Sequence, residues 1–291
     1  MTALRAEPNA AQRRTGDPLT IAHTTRFAAL ARANAGLNLK PEKIDFFTQR
    51  LTSRRNAAGC ETWADYVRLL ESGGGPDGLQ TFVEALTTHT THFFREPAHF
   101  DWLDQTGWQS LLDLGAGRDR PLTIWSAAAS TGVELYSALI SASEWAGRHG
   151  LNPRLAGMGT DISTQVLAVA ENGIYDGETI KGIPKDLQPR YLLRARDGSD
   201  RFRIKPDLRR LCKWETINLT RKGTGGPSRS SLIFLRNVMI YFDKQTQKSV
   251  VEALLERLEP GGILLTGHSE SLSFRPEGIK QEGPAIYRKI A

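Results

Sequence analysis

A short turn and an acidic residue form the first pattern in this sequence that could bind a ligand. The apolar run from Leu122 to Ala129 leads into Ser130-Thr131-Gly132, and a later apolar run ends at Asp161. A strand, tight turn and helix in this order present helix N-terminal amides at the carboxyl edge of a sheet, where a carboxylate can accept both hydroxyls of a ribose. The pattern predicts a nucleoside site. The alternatives are that the turn only connects its elements and that Asp161 caps the next helix.

Polar residues also follow another apolar run, in the string LRNVMIYF. Arg236, Asn237 and Tyr241 come at the end of a strand expected from Ser231 to Val238. Polar groups at the carboxyl end of a buried strand usually face a site rather than the core. We therefore expect these side chains to face a site.

The string THTTHFFREP places His89, Thr91 and Arg95 around two phenylalanines. Its simplest interpretation is a helix end that Phe93 and Phe94 anchor, with Arg95 on the surface. His89 and His92 have no further ligand at a metal-binding spacing, so we expect no metal site. The string LLDLGAG, from Leu111 to Gly117, is similar to a nucleotide-binding glycine loop. A helix should follow such a loop, but a strand follows here, which favours a linker.

These residues need a two-part architecture to position them. Helical periodicity runs from residue 21 to 99, after a polar segment, 1–20, that we expect to be a disordered tail. Residues 100–120 are expected to form a linker, and strands alternate with helices over 121–291, which predicts an α/β domain. The alternation of Phe202 and Ile204 predicts an antiparallel β insertion at about 183–217.

Composition narrows the classes of protein that this chain can represent. Its 291 residues are 40% hydrophobic and 24% charged, which excludes collagen and disorder. Neither a membrane span nor a secretion signal is evident, so we expect a cytoplasmic location. The two cysteines, Cys60 and Cys212, do not suggest a disulfide framework. The net charge of +6 fits an acidic partner, whether nucleic acid, lipid or protein.

Taken together, the motifs resemble those of the CheR family, the chemotaxis glutamate O-methyltransferases. The ordered set is THFFRE, IWSAAASTG, GTDI with ENGIYD, LRNVMIYF, LEPGG and GHSESL, within residues 27–289. The resemblance implies an α/β fold: a Rossmann-like S-adenosylmethionine-dependent methyltransferase domain with an N-terminal all-helical domain and a small inserted antiparallel β-subdomain.

The resemblance also implies a set of site residues. The positions that would line the S-adenosylmethionine pocket are His89, Thr91, Arg95, Glu134, Asp161, Asn218, Leu219, Arg236 and Asn237. Arg95 and Tyr241 would be the catalytic pair near the transferred methyl group. The family usually has asparagine at the position of His89 and a Gly-Glu-Glu-Pro-Tyr-Ser run at 132–137, where this chain has Val133 and Leu135.

The implied reaction methylates glutamates on the cytoplasmic helices of chemoreceptors and leaves S-adenosylhomocysteine. A carboxylate is already a nucleophile at pH 7, so we expect Arg95 and Tyr241 to orient it. Lys43, Arg50 and Arg54 lie within about 40° on one helix face and could dock an acidic receptor helix, or form a solvated face. We expect a monomer without nucleic-acid binding or membrane insertion. The departures at Val133 and Leu135 leave a non-catalytic S-adenosylmethionine-binding regulator as the alternative.

Overall fold

The computed structural model describes residues 17–74, 78–221, 223, 225–274 and 276–290 and divides into two compact units, Met1–Thr88 and His89–Ala291. Most of the expected disordered tail, residues 1–16, lies outside the described residues. Residues 17–20 differ from that expectation, because Asp17 Oδ2 accepts a hydrogen bond of 2.5 Å from the Trp63 amide and Leu19 is buried. None of the described helices is long and apolar enough to cross a bilayer.

The first unit is helical, as predicted. Its helices are α1 (Ile21–Ala35), α2 (Ile44–Ala57), α3 (Trp63–Glu71) and α4 (Gly78–Leu86). At least one aromatic ring from each helix contributes to the core, and the ring centroids of Phe47, Trp63 and Phe82 lie 5.9–6.2 Å from that of Phe27. Burial of these large rings is the main stabilisation available to a unit of this size.

Local sequence sets where two of these helices begin and end. The predicted stop of α1 at Gly36 is confirmed, because Gly36 adopts φ 68° and its amide donates to the Arg32 carbonyl. At the start of α3, Thr62 Oγ1 accepts from the Asp65 amide, and the Asp65 carboxylate accepts from the Thr62 amide. This reciprocal pair satisfies two backbone donors that a helix start leaves unpaired.

The second unit combines helices with two sheets. The helices are α5 (Pro97–Trp102), α6 (Trp108–Asp113), α7 (Val133–Arg148), α8 (Thr164–Asn172), α9 (Gln188–Tyr191), α10 (Pro206–Arg209) and α11 (Lys244–Arg257). The strands are β1 (Leu122–Ser126), β2 (Leu155–Asp161), β3 (Ile174–Asp176), β4 (Leu192–Arg194), β5 (Arg201–Ile204), β6 (Cys212–Thr216), β7 (Ser230–Leu235), β8 (Leu258–Thr266), β9 (Ile279–Gly283) and β10 (Ile286–Lys289).

The main sheet has seven strands in the order β6-β2-β1-β7-β8-β10-β9. The strands β6, β2, β1, β7 and β8 are parallel, and β10 and β9 complete the sheet as antiparallel strands. Every residue of β7 is buried, as a parallel strand covered on both faces requires. The Rossmann-like α/β prediction is therefore confirmed, and the carboxyl ends of five strands meet at one edge.

The inserted antiparallel sheet is present, but its membership differs from the prediction. Its order is β3-β5-β4, so it begins at Ile174 rather than near 183. The expected insertion also included Cys212–Thr216, which instead pairs with β2 as the parallel edge strand of the main sheet. Glycine at position 159 permits this pairing, because a Cβ there would lie 2.1 Å from the Trp214 ring.

The expected linker at 100–120 is also different, because its first half is helical. Helix α5, a π-helical turn at Leu103–Gly107 and α6 are continuous along the chain, and Leu103, Trp108 and Leu111 are buried. The Leu111–Gly117 string lies before β1, at the amino edge of the sheet, so it is not a strand-to-helix ligand loop. A salt bridge from Arg120 to Glu259, with Nη2 to Oε2 at 2.6 Å, instead ties this loop to β8.

Gly132 provides a test of how tightly the turn after β1 is packed. A Cβ at Gly132 would lie 2.6 Å from both the Ala170 Cβ and the Trp214 ring, and its φ is 83°. We expect Gly132→Ala to lower the free energy of unfolding by about 2–4 kcal/mol, from left-handed strain plus overpacking. Gly198→Ala is the matched control, because Gly198 has φ 79° with open space around it. Urea unfolding should show a smaller loss for the control, and equal losses would contradict the packing argument.

Candidate active site

The turn that follows β1 joins three distant parts of the chain. Ser130 adopts φ 48°, and its amide donates to Asp161 Oδ2 at 2.8 Å. The Ser130 hydroxyl donates to the His89 carbonyl at 3.0 Å. One serine therefore positions the carboxyl end of β2 and the chain at His89 beside the start of α7.

Asp161 is a buried carboxylate at this edge, 7% exposed. Its two oxygens accept hydrogen bonds from the Ser130 amide and, at 3.0 Å, from the Ser163 amide. The alternative that Asp161 caps α8 is wrong, because the Ser163 hydroxyl is the N-cap and accepts from Val166. Burial raises the pKa of Asp161, and these amides and the nearby His89 oppose that rise.

The predicted residues Asn218 and Leu219 lie beyond β6, next to the end of β2. The Ile217 amide donates to the Asp161 carbonyl at 2.9 Å, which places Asn218 one residue from the β2–β6 pairing. Asn218 Oδ1 accepts from the Thr220 amide at 3.0 Å and folds this loop into a turn. Asn218 and Leu219 are both half-buried.

The segment that carries Thr91 and Arg95 packs on α7. Phe93 is buried against Tyr175, with ring centroids 5.3 Å apart, and the Phe94 amide donates to Ser137 Oγ at 3.0 Å. The interpretation that the phenylalanines anchor this segment holds for Phe93. Arg95 and Thr91 are half-buried, and Arg95 Nη1 donates to the Thr90 carbonyl at 2.9 Å.

Arg236 forms the charged centre of the site. Its side chain is 1% exposed, its Nε lies 3.2 Å from Glu96 Oε2, and its Nη1 lies 3.5 Å from Glu134 Oε2. Its Nη2 donates to the Arg95 carbonyl. A buried guanidinium requires this kind of pairing, because an unpaired charge in the interior costs several kcal/mol. Arg236 therefore links the end of β7 to the start of α7 and to the segment around Arg95.

The two carboxylates beside Arg236 differ in protonation tendency. Burial raises the pKa of Glu134, and Arg236 and the Ser126 hydroxyl, which donates to Oε1 at 2.7 Å, offset only part of that rise. For Glu96, burial also raises the pKa, but Arg236 and the Asn237 side-chain amide outweigh it and the net shift is downward. The protein therefore favours the charged form of Glu96 and disfavours that of Glu134.

Asn237 has a left-handed backbone conformation beside this cluster. Its φ is 58°, its amide donates to Glu270 Oε2 at 2.6 Å, and its Nδ2 donates to Glu96 Oε1 at 3.3 Å. Glu270 also accepts from the amides of Gly267 at 3.0 Å and Ile240 at 3.1 Å. The predicted continuation of β7 to Val238 is wrong, because these side-chain contacts replace the ladder after Leu235.

Tyr241 ends the 3₁₀ turn Met239–Tyr241 that follows Asn237. Its side chain is half-buried and forms no hydrogen bond to another described residue. Arg236 and Glu270 hold the loops that carry Arg95 and Tyr241, but no hydrogen bond joins the two side chains. Helix α11 begins two residues later at the predicted cap, where Asp243 Oδ1 accepts from the Thr246 amide at 2.8 Å.

The basic residues of α2 lie in the first unit. Lys43 is exposed at the start of the helix, whereas Arg50 and Arg54 are half-buried. Arg50 donates to the Thr87 carbonyl at 3.3 Å and to Thr88 Oγ1 at 3.1 Å. Part of this basic face is therefore engaged within its own unit, and Lys43 is its most accessible charge.

Glu96 and Glu270 had no assigned role in the sequence prediction. Glu270 follows the end of β8, so its signal was an acidic residue at the carboxyl end of a parallel strand. Glu96 was visible in the THFFRE string, but nothing in its spacing paired it with Arg236, which lies 140 residues later.

The geometry fits a nucleoside at the carboxyl edge. A carboxylate offers about four acceptor positions. The Ser130, Ser163 and Ile162 amides occupy three of these positions on Asp161, which leaves acceptor capacity for a ribose hydroxyl. His89 lies near enough to this carboxylate to oppose the rise in its pKa, and Asn218 and Leu219 follow Ile217, whose amide donates to the Asp161 carbonyl.

Two family models match the chain in the order of its two units. The CheR methyltransferase all-alpha domain matches residues 22–87, and the CheR methyltransferase SAM binding domain matches residues 89–285. A chemotaxis protein methyltransferase of Klebsiella aerogenes is 35% identical over 93% of this chain and 90% of its own length. The Salmonella typhimurium and Escherichia coli proteins of the same name are 35% and 34% identical, over 92% of this chain and 90% and 91% of their lengths. The cofactor is S-adenosylmethionine, and the chain belongs to the CheR methyltransferase family.

Proposed function

We propose that this protein methylates side-chain carboxylates of glutamates on the cytoplasmic helices of chemoreceptors, forming methyl esters during chemotactic adaptation in the cytoplasm. Family membership and the names of the relatives support the reaction type and its setting. The observation that carries the proposal is the buried Arg236 cluster, which places Arg95 and Glu134 at the same sheet edge as Asp161. The cofactor supplies an electrophilic methyl group at that edge.

The residues around Asp161 bind the cofactor in this proposal. Asp161 accepts the ribose hydroxyls, while His89, Thr91, Glu134, Asn218, Leu219 and Asn237 line the pocket. Arg236 was expected to touch the cofactor, but its guanidinium nitrogens all face protein groups. We therefore assign Arg236 to positioning Arg95 and Glu134.

Arg95 and Tyr241 orient the substrate carboxylate. A glutamate side chain has a pKa of about 4.3, so only about one in 500 is protonated at pH 7 and a general base is unnecessary. Alignment is the larger need, because holding two reactants in contact can contribute about 7–11 kcal/mol. Arg95 uses one donor on Thr90, and a guanidinium has five N–H groups, so donors remain for a carboxylate.

The alternative is a non-catalytic regulator, which rests on the departures at Val133 and Leu135 from the family run at the start of α7. Both side chains are fully buried in the hydrophobic core of the second unit. Val133 stands where the family run has a glutamate, so one carboxylate is absent, whereas Glu134 remains beside Arg236. The assay that follows separates the regulator from a methyltransferase.

A direct assay tests the proposed reaction. The protein is incubated with methyl-labelled S-adenosylmethionine and purified chemoreceptor cytoplasmic fragments, and the products are treated with mild base. We expect volatile labelled methanol, which is diagnostic of a carboxyl methyl ester. Cofactor binding without any labelled fragment would support the regulator, and base-stable label would contradict an ester.

Arg95→Ala tests the orienting role. Loss of a charge-assisted hydrogen bond worth about 1.5–3 kcal/mol should lower kcat roughly ten- to hundredfold. Affinity for S-adenosylhomocysteine, measured by calorimetry, should change much less. Arg118→Ala removes an exposed arginine at the opposite edge of the sheet and should leave both values unchanged. Unchanged turnover in Arg95→Ala would refute the role.

The basic face of α2 is proposed to dock the acidic receptor helix. Lys43→Glu should slow receptor methylation several-fold at low salt and weaken its dependence on ionic strength, because a charge at an interface rim acts mainly on association. The control is Lys248→Glu, which makes the same change in net charge at an exposed position of α11. If both variants keep the salt dependence of the unmodified protein, docking through this face is wrong.

A further inference from the structure

A second cluster of ligand-type side chains lies beside the Arg236 cluster. Glu96 precedes α5, His99 lies within α5, and His268 follows β8. One potential ligand atom from each residue lies within 4.8 Å of the other two, and His99 Nδ1 is 3.5 Å from Glu96 Oε2. The two imidazole rings are stacked, with centroids 5.0 Å apart.

The buried atoms of this cluster lack well-aligned hydrogen-bond partners. His99 is 1% exposed, and neither ring nitrogen meets a partner with good alignment among the described residues, although the Pro284 carbonyl lies close enough to the ring to raise its pKa. Glu96 Oε2 is in the same situation, because Arg236 Nε is near it without hydrogen-bond alignment. A buried unsatisfied polar group costs about 1–3 kcal/mol, so His99 Nδ1 beside Glu96 Oε2 requires an explanation.

The ligand types and spacing match a metal centre. Two imidazoles and one carboxylate are a known ligand set for zinc. Bond lengths of about 2.0–2.2 Å in tetrahedral geometry separate neighbouring ligand atoms by about 3.3–3.5 Å, so the His99–Glu96 distance already fits. His268 is exposed, and its ligand atom lies within 4.8 Å of the other two.

We propose that Glu96, His99 and His268 bind a divalent transition metal of the zinc class. Solvent completes the coordination on the exposed side of His268. The ion would share the Glu96 carboxylate with Arg236, whose guanidinium also faces Glu134. Mg²⁺ and Ca²⁺ fit poorly, since both favour oxygen ligands.

The bound ion would connect two separate segments of the second unit. It would hold the start of α5 against the loop after β8. Glu96 also pairs with Arg236, which donates to the Arg95 carbonyl. The bound ion would therefore help to fix the position of the segment that carries the proposed orienting arginine.

Metal titration of the tag-free full chain tests this site without cofactor or receptor. We expect one equivalent of Zn²⁺ to bind by calorimetry, Co²⁺ to give visible d–d absorption bands, and Mg²⁺ to give neither signal. His268→Asn and His99→Gln should each weaken Zn²⁺ binding at least tenfold. His149→Asn removes an exposed histidine outside the cluster and should bind as the unmodified chain does.

A thermal measurement guards against misfolded variants. Zn²⁺ should raise the Tm of the unmodified chain and of His149→Asn, but not that of His268→Asn, whose exposed position tolerates substitution. The absence of saturable Zn²⁺ binding to the unmodified chain overturns the proposal. So does Zn²⁺ binding of undiminished affinity in His268→Asn, even if His99→Gln does not fold. Neither result depends on methyl transfer.

Discussion

The buried guanidinium of Arg236 is the constraint on which the site depends. A charge that is 1% exposed has to be balanced locally, and Glu96 and Glu134 provide that balance from two other parts of the chain. Because Arg236 also binds the Arg95 carbonyl, the same interaction that satisfies its charge positions the proposed orienting residue. The contacts that balance the charge of Arg236 therefore also position Arg95.

The carboxyl edge of the parallel sheet concentrates both polar groups and backbone strain. Among the described residues, five that are not glycine have a positive φ, and four of them, Phe94, Glu96, Ser130 and Asn237, belong to the segments of the site. Such conformations persist only where surrounding contacts hold them. Here Asp161 holds Ser130, Glu270 holds Asn237 and Ser137 holds Phe94. Rigid placement of this kind suits a reaction that needs alignment more than proton transfer.

Periodicity and turn chemistry predicted most of the architecture. The helices of the first unit, the cap at Asp243 and four strands of the main sheet, β1, β2, β7 and β8, follow from apolar spacing and breakers. The errors occurred where tertiary contacts override a local pattern. Residues 212–216 alternate like a strand of the small sheet, yet Trp214 packs over Gly159 and joins them to the main sheet. The helical residues 100–113 were predicted as part of a linker, because α5, the π-helical turn and α6 are each only five or six residues long.

The sequence by itself determined the ordered motifs, and with them the family, the cofactor and the residues to examine, because those depend on residue identity and chain order. It also predicted that Asp161 and Arg236 end strands at one edge. Only the tertiary structure decided which charges meet. Three contacts show this: Arg236 pairs with Glu96, Glu270 accepts from the Asn237 amide, and His99 stacks on His268. Each joins residues more than 30 positions apart on different elements. Such contacts arise from sheet order and packing, which leave no periodic signal along the chain.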